Sequence, residues 1–127
     1  MTIDQNSNDN RSGSRPTRVF VVDDSVVIRG LVTRWLRETG RFDVVGTAAN
    51  GRIAVENIER FDPEIVLLDI EMPEMDGVTA LPLLLQRKPD LKVIVVSTLT
   101  QRNAEFSVRC LSLGAVDYLP KPESRNL

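Results

Sequence analysis

Residues Val19 to Ser25 read "VFVVDDS", four apolar residues that stop on two adjacent aspartates, Asp23 and Asp24. A short unbroken apolar run is the pattern of a strand buried on both faces, and it is the pattern of parallel sheets rather than of half-solvated antiparallel ones. Taking this strand as residues 18 to 22, four more runs of the same kind follow: "DVVGTA" (43 to 48), "EIVLLD" (64 to 69), "KVIVVS" (92 to 97) and "AVDYL" (115 to 119). Longer amphipathic segments separate them. The first, from about Ser25 to Thr39, spaces Val27, Ile28, Leu31, Val32, Trp35 and Leu36 three and four apart, with Ser25 as N-cap and Gly40 as the stop. The second, residues 51 to 61, stripes Ile53, Ala54, Ile58 and Phe61 and ends at Asp62-Pro63. A third begins after Gly77 with Val78, Leu81, Leu84 and Leu85, and a fourth near 102 to 113 stripes Ala104, Val108 and Leu111 before Gly114. Pro82 falls inside the third, where it removes a backbone hydrogen bond and predicts a kink unless the helix starts late.

Strands alternating with helices predict an α/β fold, a parallel sheet covered on both faces. Five strands suit the flavodoxin-like, doubly wound order 2-1-3-4-5, in which strands 1 and 3 are neighbours and ligands bind beyond their carboxyl ends. The chain is 127 residues long, enough for one core. The opening "MTIDQNSNDNRSGSRPT" has almost no apolar side chains to offset its ordering entropy, so residues 1 to 17 are expected to form a disordered tail. Nor does it contain the apolar segment of a signal peptide, and no stretch has the length of a membrane span, so a cytoplasmic protein is expected.

Charge and composition narrow the function. A net charge of -2 and a pI near 5.2 favour neither nucleic acid nor an anionic membrane as a direct partner. With one cysteine, Cys110, there is no internal disulfide, and the thiol is expected to be a small buried residue. The absence of histidine excludes histidine bases and His-type zinc sites.

The expected fold gives the paired aspartates a purpose. Asp23 and Asp24 end one central strand and Asp69 ends its neighbour; with strands roughly 4.8 Å apart, three carboxylates converge. Alone they would repel, and at least one would hold its proton more tightly. A hard divalent cation relieves this, and Mg²⁺ takes one or two carboxylates together with water and phosphate oxygens. Strand 4 ends on Ser97, and Lys121 follows strand 5, so a hydroxyl and an ammonium join the same edge. These are the parts needed to move a phosphoryl group onto a carboxylate, which is ordinarily ionised at neutral pH and needs no base. Each part has a plainer reading: a turn and helix cap for Asp23-Asp24, a loop hydroxyl for Ser97, a surface lysine between prolines for Lys121. Their joint placement, each at the end of a different strand, favours the site.

The motifs "VVDDS", "LLDIEMPEMDG", "VVSTLT" and "GAVDYLPKP" resemble the response-regulator receiver domain of two-component signalling, from about Arg18 to Pro122. The resemblance implies that Asp69 is the phosphoacceptor and that Asp23, Asp24, Asp69 and the backbone carbonyl of Glu71 hold Mg²⁺. It implies Ser97 as the switch hydroxyl, Lys121 as the lysine that pairs with the acyl phosphate, Tyr118 as the aromatic switch and an often cis Lys121-Pro122 peptide. It also implies a histidine kinase as phosphodonor, and a C-terminal effector domain or downstream protein as the target. "DDS" followed by "VVIR", then "VVGTAANG", "STLTQ" and "GAVDYLPKP", is most similar to the N-terminal receiver of chemotaxis protein-glutamate methylesterases. Having no histidine and no nucleophile elbow, the chain is not expected to be an esterase itself.

After the lysine the closing "ESRNL" is too short for a fifth helix, so either the exposed apolar face is covered by another chain or, the favoured reading, residues 18 to 127 are a receiver truncated at its C-terminus. Such a fragment would be less stable or would self-associate through its uncovered face. Trp35 and Phe106 read as packing residues, and Met72 and Met75 as walls of the loop beside the site. Two alternatives remain at this point: a small Mg²⁺-dependent phosphatase with an aspartate nucleophile, which would call for Asp-x-Asp after the first strand, and an unphosphorylated adaptor.

Overall fold

The computed structural model describes residues 15–121. Five strands alternate with four helices: β1 (Thr17–Val22), α1 (Val26–Glu38), β2 (Phe42–Ala48), α2 (Gly51–Phe61), β3 (Ile65–Asp69), α3 (Gly77–Arg87), β4 (Lys92–Ser97), α4 (Gln101–Ser112) and β5 (Asp117–Pro120). All pairings are parallel, and the sheet order is β2-β1-β3-β4-β5, as the apolar runs predicted. The order reverses between β1 and β3, which opens a crevice beyond their carboxyl ends.

The pleat sends alternate side chains to opposite faces and so builds two cores from the same strands. Phe20 and Val22 of β1, Val66 and Leu68 of β3, and Val93 and Val95 of β4 pack with Ala54 and Ile58 of α2, Leu81 and Leu84 of α3 and Cys110 of α4. Val19, Val21 and Val44 face the other way, against Val32 and Leu36 of α1. Burying each of these aliphatic side chains contributes about 1.5–3 kcal/mol, so the central strands are the most firmly held part of the chain.

Local signals set the helix ends. Ser25 Oγ accepts from the Ile28 backbone N–H at 3.2 Å, and Gly40, at φ 71°, turns the chain after α1. Asp62 closes α2 in the left-handed region (φ 47°) and binds the Lys88 ammonium at 2.9 Å.

Several expectations need correction. Helix α3 starts at Gly77 and runs through Pro82 instead of starting late, with Pro82 on its exposed side. Strand β5 begins at Asp117, two residues later than expected. The expected tail boundary is too late, since Thr17 already pairs with Phe42 and Arg15 binds Glu64 at 2.9 Å. In α1 only Ile28 is buried; Val27 and Trp35, expected to pack, are 59% and 44% exposed. The largest correction concerns α4, which buries Asn103, Ser107 and Cys110 and leaves the expected stripe of Ala104, Val108 and Leu111 in solvent. The two stripes lie one residue, about 100°, apart on the helix, and the surface that α4 meets is the polar carboxyl end of β4. The first fourteen residues, the Lys121-Pro122 peptide and the chain after Lys121, where a fifth helix would begin, lie outside the described residues.

Candidate functional site

Three strand ends meet at the crevice. The Asp23 backbone N–H donates to the Ala48 carbonyl at 3.0 Å, which carries the register of β1 one residue past the strand. Asp23 Oδ1 then accepts from the Ser25 backbone N–H at 2.8 Å, and Arg29 Nη1 donates to the Asp23 carbonyl at 2.7 Å. The turn is therefore shaped by Asp23 and capped by Ser25, with Asp23 buried and Asp24 exposed. Asp69, also buried, ends β3, and the loop after it folds back so closely that the Gly77 N–H donates to the Ile70 carbonyl at 2.8 Å. A Cβ on Gly77 would lie 2.2 Å from the Asp69 carbonyl oxygen, so only glycine fits there. On the far side, the Lys121 N–H donates to the Ser97 carbonyl at 2.7 Å, which fixes where the lysine leaves the sheet.

The side chains converge as the strand ends predict. Carboxylate oxygens of Asp23, Asp24 and Asp69 lie within 4.8 Å of one another. Lys121 Nζ reaches Asp23 Oδ2 at 3.1 Å and Asp69 Oδ2 at 3.2 Å. Burial, followed by the neighbouring charge of Asp23, pushes the Asp69 carboxyl up from 3.8 to about 7, although Lys121 pulls it down. The rise agrees with the expectation that converging carboxylates leave at least one of them holding its proton more tightly. Burial lowers the proton affinity of Lys121, but Asp69 and Asp23 outweigh it and the net direction is upward. Three clustered oxygen-donor carboxylates, two of them buried, fit a hard divalent cation such as Mg²⁺.

The contacts of the other expected site residues lie outside this cluster. Ser97 is buried at the end of β4, but its hydroxyl bonds to the Ser107 hydroxyl of α4 at 3.4 Å. Tyr118, on β5, is 47% exposed. Glu71 follows β3 by two residues, and its side chain accepts from Asn103 Nδ2 at 3.3 Å. Met72 and Met75 are half-buried against the main core, and the Met75 carbonyl accepts from the Gly51 N–H at 2.9 Å. Phe106 packs on the same core, as expected of a packing residue. Sequence reasoning missed Asn103 and Ser107. Their signal was a polar residue recurring at the helical spacing 103, 107, beside an apolar stripe that looked like the inward face.

The family model for the response regulator receiver domain matches residues 19–127. This chain belongs to that family. As a receiver it is 60% identical over 109 residues to a protein-glutamate methylesterase/protein-glutamine glutaminase of Nitrobacter winogradskyi, a match covering 86% of this chain and 26% of that protein. Across the curated relatives it matches, the chain spans about a quarter to a third of their length. Among solved structures, the response regulator domain of Thermotoga maritima CheB is 38% identical with a TM-score of 0.77, covering 86% of this chain and 81% of that one. A chain of the CheX-CheY-BeF3-Mg²⁺ complex from Borrelia burgdorferi is 34% identical with a TM-score of 0.76, covering 87% of this chain and 82% of that one. These 127 residues are thus a regulatory receiver of the CheB kind and not the esterase. No described helix is long and apolar enough to cross a membrane.

Proposed function

We propose that Asp69 accepts a phosphoryl group, from a histidine kinase or a small phosphodonor, and that the resulting charge switches the receiver. One Asp69 carboxylate oxygen forms a bond to phosphorus as the bond to the donor breaks, and the donor keeps that electron pair. Asp23, Asp24, Asp69 and the Glu71 backbone carbonyl would hold Mg²⁺, which supplies positive charge to offset the phosphoryl oxygens. Lys121 already sits between Asp23 and Asp69 and pairs with the added charge, while Ser97 donates to a phosphoryl oxygen. Tyr118 changes between outward and inward positions. The output is control of an effector, a C-terminal methylesterase domain by analogy with the relatives, and a cytoplasmic setting follows from that role.

The observation that carries this reading is the convergence of three carboxylates at the switch point, two of which, the buried Asp23 and Asp69, pair with Lys121. The test is intact mass after incubation with acetyl phosphate, with and without Mg²⁺, beside an Asp69→Asn variant. One phosphoryl group should be added, only with metal and only with Asp69 present. Metal-independent addition, or addition to the variant, would refute it, and release of many phosphates per chain would mean a phosphatase.

A further inference from the structure

Helix α4 is anchored differently from its neighbours. Helix α2 buries Ala54, Val55 and Ile58, and α3 buries Ala80, Leu81 and Leu84, whereas α4 buries Asn103, Ser107 and Cys110. Asn103 Nδ2 donates to Thr98 Oγ1 at 2.8 Å and to Glu71 Oε1 at 3.3 Å. Because the Glu71 carboxylate only accepts, the amide nitrogen must face it, and Asn103 Oδ1 is left buried without a partner. The second tether is the bond between Ser107 and Ser97, whose residues are 1% and 6% exposed. So the hydroxyl that the proposed function requires at the phosphoryl group is engaged with α4 instead.

We propose that Ser107 is a positioning residue: its hydroxyl holds Ser97 in the resting orientation, and losing that partner is how α4 senses phosphorylation. This rests on the proposed function. When Ser97 turns to donate to a phosphoryl oxygen, the Ser107 hydroxyl is stranded in a site with almost no solvent. A buried hydroxyl without a partner is costly, so α4 shifts until Ser107 bonds again. The same bond opposes activation, because it must be broken before Ser97 can turn.

These two consequences separate the proposal from a merely structural role. In Ser107→Ala the resting state loses its bond, so activation becomes easier, and no hydroxyl is left to strand, so α4 responds less. Amide NMR of the 127-residue chain, titrated with beryllofluoride in excess Mg²⁺, reads both effects. The half-saturating concentration should fall about two- to threefold in Ser107→Ala, the lower end of the range for one neutral hydrogen bond, as suits a contact of 3.4 Å. Shift changes across residues 101–112 should shrink, and Ser107→Thr should restore wild-type behaviour. Wild-type half-saturation and a wild-type α4 response in Ser107→Ala would overturn the proposal while leaving phosphorylation intact. A wild-type chain that takes up no beryllofluoride would overturn the proposed function and this inference together. If the alanine variant lost its fold, Ser107→Cys, of similar volume and weaker bonding, would be judged by the same criterion.

Discussion

Replacing Asp69 by asparagine should make the protein more stable at neutral and alkaline pH while abolishing phosphorylation. The rise from 3.8 to about 7 means that the folded state binds the Asp69 proton far more tightly than the unfolded chain does. At about 1.4 kcal/mol for each tenfold difference in proton affinity, the cost of ionising Asp69 in the folded state is on the order of 4 kcal/mol. The sign follows from linkage: a raised carboxyl contributes stability that is whole below about pH 4 and is lost as pH climbs through about 7. Asparagine keeps the shape and never ionises, but it weakens one of the two bonds to Lys121, so we expect a net gain of about 2–4 kcal/mol at pH 8. For a domain of this size that is on the order of 10 °C in Tm. Thermal unfolding with a chelator, followed by circular dichroism from pH 4.5 to 8, is the assay. Wild type should lose stability across that range, Asp69→Asn should change much less, and the two should nearly coincide at the acid end. Saturating Mg²⁺ should restore much of the wild-type stability at pH 8. An Asn variant no more stable than wild type at pH 8, or a difference independent of pH, would refute the account of Asp69 as a buried, undercompensated charge.

Three further changes probe the surrounding groups. Lys121→Met removes the ammonium that competes for Asp23 and Asp69, so Mg²⁺ should bind about tenfold more tightly by calorimetry, as expected for roughly 1.4 kcal/mol of lost competition, while phosphorylation by acetyl phosphate slows. Gly77→Ala should cost about 1–3 kcal/mol or more in urea unfolding and impair phosphoryl uptake, because its methyl group would press on the backbone of Asp69 itself. Asn103→Ala should cost only about 1 kcal/mol or less, since the bonds lost to Thr98 and Glu71 are partly offset by removing an unpaired buried carbonyl oxygen.

The strands were legible because residues buried on both faces must be apolar without interruption, as "VFVV", "IVLL" and "VIVV" are. The acidic cluster was legible for a topological reason: once β1 and β3 are neighbours, whatever ends them must meet. Three features were not. Whether Asp69 is ionised depends on the sum of burial, two like charges and one lysine, and no spacing encodes that sum. The direction of the Ser97 hydroxyl is a rotamer, chosen by what α4 presents to it. The inward face of α4 was ambiguous because two stripes compete on it, and hydrophobicity ranks them in the wrong order when the surface beneath is itself polar.

That last failure bears on how a receiver can switch. Moving a two-state equilibrium from 1:99 to 99:1 takes about 5.5 kcal/mol, which is near the limit of what a few charge-assisted hydrogen bonds to one phosphoryl group supply. Undocking α3 would expose Leu81 and Leu84 and consume from about half to all of it, at about 1.5–3 kcal/mol for each side chain. A shift of α4 that leaves Cys110 and Phe106 packed on the core exchanges only the hydrogen bonds of Asn103 and Ser107, whose net worth is about 1 kcal/mol each. Of the three described helices on that face of the sheet, α4 is the one with polar anchors that the proposed chemistry at Asp69 has the energy to exchange.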